Sequence, residues 1–567
     1  MVFGLPVADF IVVAVYLVGV TVLGLIALRW VRNMSDFIMP RRFGKMMLIM
    51  YAYGTGTHSD QAVGVASKTF TNGLSGIWYQ WVALFPTPFY WPIAAMLRRF
   101  RALTMGDVFE ARFSRSVAML YAVFGVAVLS LTMGLMLKGS GGVITGATHG
   151  NVSANYAILV MTIMFVIYGT AGGLAAAVLT DFFQGILTIV FSFMLLPSIL
   201  HATGGLAGLH RSITNPEMFS LVAPKDIGLF YIVTVALGTL LGIPTQPHTM
   251  GNCAAGRSEL DGSVGFMGGS FIKRFSTVAW CLTGLAAVVY FAGQDIKPDN
   301  IYGASAAAFL PKIAPGMVGL FLSCLLASVM SGCSSFMIAS SALFTENLYK
   351  RLAPVRSDRH YMWVTRIAAV VVVAAGLCIA YSLPTVPRGL EVFWEIATIM
   401  GIPFWLGLWW RRATPAGAWA TMLSGLAAFC LFLQPWFVHF LQPLSWAKAL
   451  RLVFDNGHRV EIYMPWRMVT YMGSVLAGIV VSLLTKPMDP QKLENFYALV
   501  RTPVRPNEPP PSGPCRLPEG VMPAPRRLLL PFGSLEILVP SRVTIFGLLV
   551  GTVLVVGIIV MFVWIVR

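Results

Sequence analysis

Apolar runs of roughly twenty residues, the length that spans the hydrocarbon core of a bilayer, recur along nearly the whole chain. In lipid each run must satisfy its backbone hydrogen bonds internally, which at this length means a helix. About fourteen spans fit: 8–30, 45–67, 73–97, 114–138, 153–170, 174–200, 226–247, 270–294, 315–346, 362–383, 387–410, 414–434, 467–485 and 541–566. Of 567 residues, 57% are hydrophobic and 11% charged, too few charges to coat a water-soluble protein of this size. The fold class is an all-α polytopic membrane protein. A net charge of +17 does not point to nucleic acid, because the basic residues cluster between spans. The clusters run from Arg29 to Lys45, from Arg98 to Arg115, through Lys273 and Arg274, from Lys350 to Arg359, and through Arg411 and Arg412. Positive-inside logic places them in the cytoplasm and both termini outside it, in the cytoplasmic (inner) membrane. Seven cysteines have no metal-like spacing and read as packing residues.

One span cannot be an ordinary helix. Tyr51 to Gly64 reads Tyr-Ala-Tyr-Gly-Thr-Gly-Thr-His-Ser-Asp-Gln-Ala-Val-Gly. Gly54 and Gly56 weaken a helix, and His58 with Asp60 puts an ionisable pair at membrane depth, where such groups face a protein interior or a wet cavity. Irregular backbone survives there only where it lines a site. A second break is expected at Leu240 to His248, where Gly242, Pro244 and Pro247 fall close together. Two interrupted helices, one in each half of an inverted repeat, mark a binding site at the membrane midplane. The plainer alternative is that Pro244 and Pro247 only kink a packed helix.

The segmentation follows. Residues 1–44 form an extra helix and a basic cytoplasmic loop, 45–413 a ten-helix transport core, and 414–485 two more helices with an extracytoplasmic insert at 435–466. Residues 486–540 are rich in Pro and Arg, a composition that disfavours a helix or a core. They read as an extended cytoplasmic linker, with 541–567 a final transmembrane helix. A passive spacer is the simpler reading of the linker. A protein partner docking there or on the insert is the sharper one.

Tyr168-Gly169-Thr170-Ala171-Gly172-Gly173-Leu174-Ala175-Ala176, running on to Thr180-Asp181-Phe182-Phe183-Gln184-Gly185, resembles the sodium:solute symporter family. Ser59-Asp60-Gln61, Gln246-Pro247-His248, Phe344-Thr345 through Tyr349-Lys350, and Leu406 to Thr414 are similar to further landmarks of it, in order. The resemblance implies a LeuT-type five-plus-five inverted repeat with flanking helices, and alternating access driven by sodium. It implies a sodium site made of backbone carbonyls at Gly54, Thr57 and Ser328 and two adjacent hydroxyl side chains, which fall on Ser331 and Gly332. The resemblance also implies that Asp181 is part of a second cation position. Gly332 carries no oxygen, so a site wanting five or six hard ligands lacks one; Ser335, Thr55 or Thr57 are the substitutes at hand. His58 departs from the family's small hydroxyl residue. With Asp60 it forms a possible proton relay, although residues 58 and 60 lie on different faces of a regular helix. The blander reading makes His58 a hydrogen-bonded packing residue.

Solute contacts are expected from Gln61, Tyr79, Trp81, Gln246 and Glu395, polar or aromatic groups at suitable depth. Glu391 and Glu395 share a face, an acidic lining that suits a cationic or polyhydroxyl solute. The sequence carries no nucleotide-binding loop and no catalytic triad, so the chain reads as no enzyme, with no organic cofactor and Na+ as its coupling ion. The expected function is cation-coupled symport of a small polar organic solute, by sodium or by protons. The rival is a transport-inactive scaffold serving as a sensor or as a subunit of a membrane complex.

Overall fold

The computed structural model describes residues 5–27, 41, 43–223, 226–353, 355–455, 460–505, 508–509, 511–530 and 533–567, with the side chains of 23–27, 164 and 167–179 excepted. After α1 (Val7–Ala27) the chain enters a broken helix, α2 (Lys45–Gly56) and α3 (Ser59–Asn72). Then come α4 (Tyr90–Arg99), α5 (Met105–Arg112), α6 (Arg115–Ala147) and α7 (Ala154–Phe193). A second broken helix follows, α8 (Leu229–Gly242) and α9 (Pro247–Ala254), bent by 67° at the break. The main helices after it are α10 (Glu259–Tyr290), α11 (Met317–Phe344), α12 (Asp358–Ser382), α13 (Val386–Trp409), α14 (Pro415–Phe432), α15 (Met464–Leu484), α16 (Pro490–Arg501) and α17 (Arg542–Val566). A hairpin, Val453–Asp455 against Val460–Ile462, is the one sheet among the described residues.

The first broken helix sits at the centre. α2 packs on α7 and α10, and α3 on α6 and α10. Lipid gives helices no hydrophobic reason to associate, so close backbone approach through small residues takes over. Gly265 and Gly269, one turn apart on α10, supply it. A Cβ on Gly269 would lie 2.6 Å from the Ile49 carbonyl oxygen and 2.8 Å from Tyr53 N, and one on Gly265 would lie 2.4 Å from Leu48 Cβ.

Among the described residues, nine helices are long and apolar enough to cross a membrane, ten with the bent pair, which leaves the expected fourteen unconfirmed. Four expectations are corrected. The run 73–97 is instead broken into short turns, Gly73–Ile77, Trp78–Trp81 and Thr87–Phe89, before α4. α7 is one helix where the sequence predicts two spans, 153–170 and 174–200. Glycine lowers helix propensity but keeps its N–H, so Gly172-Gly173 does not force a break as proline would. The side chains of the Tyr168–Ala176 motif lie outside the described residues, as do Arg29, Arg32 and Arg42 of the first basic cluster.

Lys273 and Arg274 are not loop residues. They lie inside α10, where Arg274 is 3% exposed and donates to the Gln80 carbonyl at 2.9 Å. The irregular turns of 73–89 leave carbonyls that a buried guanidinium can use.

Nor is 486–540 only extended. α16 forms because its sole proline, Pro490, sits at the first helical position, where no N–H is required. Asp489 caps it, accepting from Gln491 N and Lys492 N. Leu493, Phe496, Tyr497 and Val500 are buried, Tyr497 donates to the Gly407 carbonyl at 2.8 Å, and Arg101 pairs with Glu508 at 2.5 Å. The Arg501 hydrogen bond holds the Glu494 carboxyl below the usual carboxylate range. α17 packs on α4: a Cβ on Gly547 would lie 2.3 Å from the Trp91 ring.

Gly269→Val is expected to overpack the α2–α10 contact at a cost of about 1–3 kcal/mol, read as a lower melting temperature of the purified protein. Gly19→Val, with nothing within 4 Å of the added Cβ, serves as the control and leaves it unchanged.

Candidate functional site

The two breaks meet. Thr57 and His58 leave helical geometry with φ of −130° and −134°, and Gln246 does so on the other helix with ψ of 124°. The Thr55 hydroxyl, shared between the Tyr51 carbonyl at 2.8 Å and Asn252 Oδ1 at 3.0 Å, ties the first broken helix to α9. Between them is a cavity of about 110 Å³ lined by Asp60, Gln61, Tyr79, Gln246, His248 and Lys273, with Phe336 and Trp394 among its apolar walls. Asp60 Oδ1, Gln61 Oε1, His248 Nδ1 and Thr249 Oγ1 are buried there without hydrogen-bond partners. Such groups cost free energy unless something supplies partners. A small polar molecule would.

A second cluster lies beside the break. Gly54 faces α11 and α7, and a Cβ there would lie 3.1 Å from Ser331 Oγ and 3.3 Å from the Asp181 carbonyl oxygen. Ser331 Oγ, Asp181 Oδ1 and Thr57 Oγ1 are buried and lack a hydrogen-bond partner of acceptable geometry. Ser335 donates to Asp181 Oδ2 at 3.3 Å. Hard oxygens of this kind, one carboxylate and hydroxyls, are what an alkali cation takes. The Ser328 hydroxyl is used within its own helix, donating to the Leu325 carbonyl at 2.8 Å.

The structure brings together Gly54, Ser331 and Asp181, and it places Gln61, Tyr79, Gln246, His58 and Asp60 on the cavity. His58 Nδ1 stands 3.4 Å from Asp60 Oδ1. The expectation of different faces assumed a regular helix, and the break removes that premise. Trp81 and Glu395 stand apart from the cavity. The Trp81 indole donates to the Arg274 carbonyl at 3.1 Å and meets the Phe562 ring at 5.1 Å. Glu395 pairs with Arg467 at 2.9 Å and accepts from Tyr471 at 2.9 Å. Glu391 pairs with Arg388 at 2.9 Å and accepts from Tyr79 at 2.8 Å. The two carboxylates are thus neutralised by arginines rather than presenting a bare acidic lining.

Among the cavity groups not singled out from the sequence are Lys273, Asn252 and Phe336. Lys273 was read as topology. Asn252 and Phe336 sit in apolar runs with no local signal, and only the crossing of helices gives them a role.

The helices are arranged as in LeuT-fold proteins. A Na+-coupled sialic acid symporter in a substrate-bound outward-open state superposes with a TM-score of 0.71 at 15% identity, covering 85% of this chain and 99% of that one. The sodium:solute symporter family matches residues 37–425, well over half the chain. The chain belongs to the sodium:solute symporter family. A sodium/proline symporter of Haemophilus influenzae is 27% identical over 444 residues, 72% of this chain and 85% of the relative. A sodium/pantothenate symporter of Escherichia coli is 22% identical over 409 residues, 69% and 82% of the two chains. An osmoregulated proline transporter of Bacillus subtilis is 26% identical over 495 residues, 83% and 94%.

Thr55→Val removes the link between the breaks and leaves Asn252 Oδ1 buried without a donor, a loss of about 1–3 kcal/mol. A double-mutant cycle with Asn252→Ala in thermal unfolding is expected to show coupling between the two positions; additive effects would contradict the link.

Proposed function

We propose that the protein is a secondary active symporter carrying a small polar organic solute by alternating access, with sodium as the coupling cation. The observation that carries this reading is the meeting of two broken helices around buried, unpartnered polar groups, which a transporter site needs and a packed scaffold has no reason to keep. In this reading sodium binds beside Gly54, Ser331 and Asp181, with Thr57 and Ser328 as its further oxygen donors. The solute lies in the cavity against Gln61, Tyr79 and Gln246. Trp81 and Glu395 hold the surrounding helices in place: Trp81 against α10 and α17, Glu395 against α15. The relatives named for sodium/proline and sodium/pantothenate symport support both the coupling ion and a solute of that size.

In this reading the cation stabilises the outward-open state and the solute completes closure. Each ligand shifts the equilibrium only by its difference in affinity between the states. The 3.4 Å approach of His58 Nδ1 to Asp60 Oδ1 favours a second reading, in which a proton passed between them is the coupling ion.

Proteoliposomes holding the full chain, with proline and pantothenate as the first probes, test this. Accumulation is expected under an inward sodium gradient and not under potassium. Ser331→Ala or Asp181→Asn should lower the sodium-driven rate about tenfold or more, the equivalent of about 1.4 kcal/mol. Uptake that follows an inward proton gradient and survives Ser331→Ala would favour the second reading. Solute binding with no accumulation under either gradient would overturn symport.

A further inference from the structure

A helix that stops inside a membrane frees the carbonyls of its last turn, and its end carries the negative pole of the helix dipole. At the end of α2 these include the carbonyls of Gly54, Thr55 and Gly56. All three are taken by donors of this chain. The Gly54 carbonyl accepts from Thr57 N at 3.5 Å. The Thr55 carbonyl accepts from His58 Nε2 at 2.7 Å. The Gly56 carbonyl accepts from the ammonium of Lys273, which reaches across from α10.

The imidazole reaches Thr55 only because residue 332 has no side chain. A Cβ on Gly332 would lie 2.6 Å from His58 Cδ2, 2.9 Å from His58 Nε2 and 2.1 Å from Met136 Cε. All three distances are below any contact a real Cβ makes. Phe336, one turn further along α11, closes the pocket with its ring edge-on to the imidazole at 5.5 Å. Two unusual residues, a histidine at the break and a glycine facing it, are therefore one feature. The imidazole does not fit here beside a side chain at 332.

We infer that Lys273 and His58 are positioning residues that close the helix break with donors of the chain's own, a tethered ammonium and an imidazole N–H. The space for the imidazole is the side chain Gly332 lacks. A dissociable cation is then not needed to satisfy the Thr55 and Gly56 carbonyls. The side-chain oxygens still open beside the break are Ser331 Oγ, Asp181 Oδ1 and Thr57 Oγ1, and they remain for a free cation. The cavity is thus shaped before any cation or solute arrives. A carbonyl cage would need the ion first.

The test uses thermal unfolding of the purified full chain, so it is independent of uptake and of which solute is carried. Lys273→Ala is expected to lower the melting temperature, and n-propylammonium chloride, which replaces the deleted atoms, to raise it again. Choline chloride and 1-propanol should not raise it. Lys273→Arg should retain most of the stability. Lys273→Met, with the length but no N–H, should lose it and gain nothing from the amine. Gly332→Thr should lower the melting temperature far more in the native background than in His58→Ser, where the pocket is empty. A Lys273→Ala protein that melts like the native one, or responds to propanol as to the amine, would overturn the role of Lys273. An equal Gly332→Thr penalty in both backgrounds would overturn the role of the pair, and that comparison decides alone if Lys273→Ala does not fold.

Discussion

Backbone hydrogen bonding in a medium without water is the constraint on which this structure depends. Among the described residues the helices interrupt that internal bonding at Thr57–His58 and at Gln246, two places that face each other across the cavity, and at the turns of 73–89, where Arg274 supplies a donor. An open carbonyl or N–H in lipid costs several kcal/mol, so a break persists only where side chains or a ligand satisfy it. Around the first break Lys273, His58 and Thr57 do so. The groups left open are side-chain oxygens on Asp60, Gln61, Ser331 and Asp181. They lie where a solute and a cation would sit.

The surroundings are built to keep that centre in place. Glycines on α10 let the broken helix approach backbone to backbone. Arg274 satisfies the irregular turns that follow α3. On the flank, Arg388 and Arg467 neutralise Glu391 and Glu395. Replacing a buried ion pair with apolar groups is often neutral, but removing one partner strands a charge, so these four residues stand or fall together. α16 and the segment after it are fastened to the core through Tyr497, Arg101 and Glu508, and are part of the fold.

Much of this was legible in the sequence. The apolar runs gave the class, and Gly54, Gly56, His58 and Asp60 in one run, with Gly242, Pro244 and Pro247 in another, marked both breaks. Ordered motifs gave the family. What was not legible depends on three-dimensional crossing. A run of apolar residues does not say whether it is one helix or several short turns, which is why 73–97 was overcounted. Lys273 and Arg274 look like any basic pair, and only the carbonyls opposite them make them internal. Glu395 looks like a cavity acid until Arg467, seventy-odd residues later, is placed beside it. Gly332 read alone is a missing ligand; with His58 beside it, it is a space already filled.

The most direct test of a cation-using site at the first break is the melting temperature of the purified protein in sodium, potassium and choline chloride. A ligand that binds only the folded state raises it by mass action. The account predicts a sodium-specific rise that Ser331→Ala and Asp181→Asn each abolish. An identical melting temperature in all three salts, or a sodium-specific rise that survives both substitutions, would contradict it.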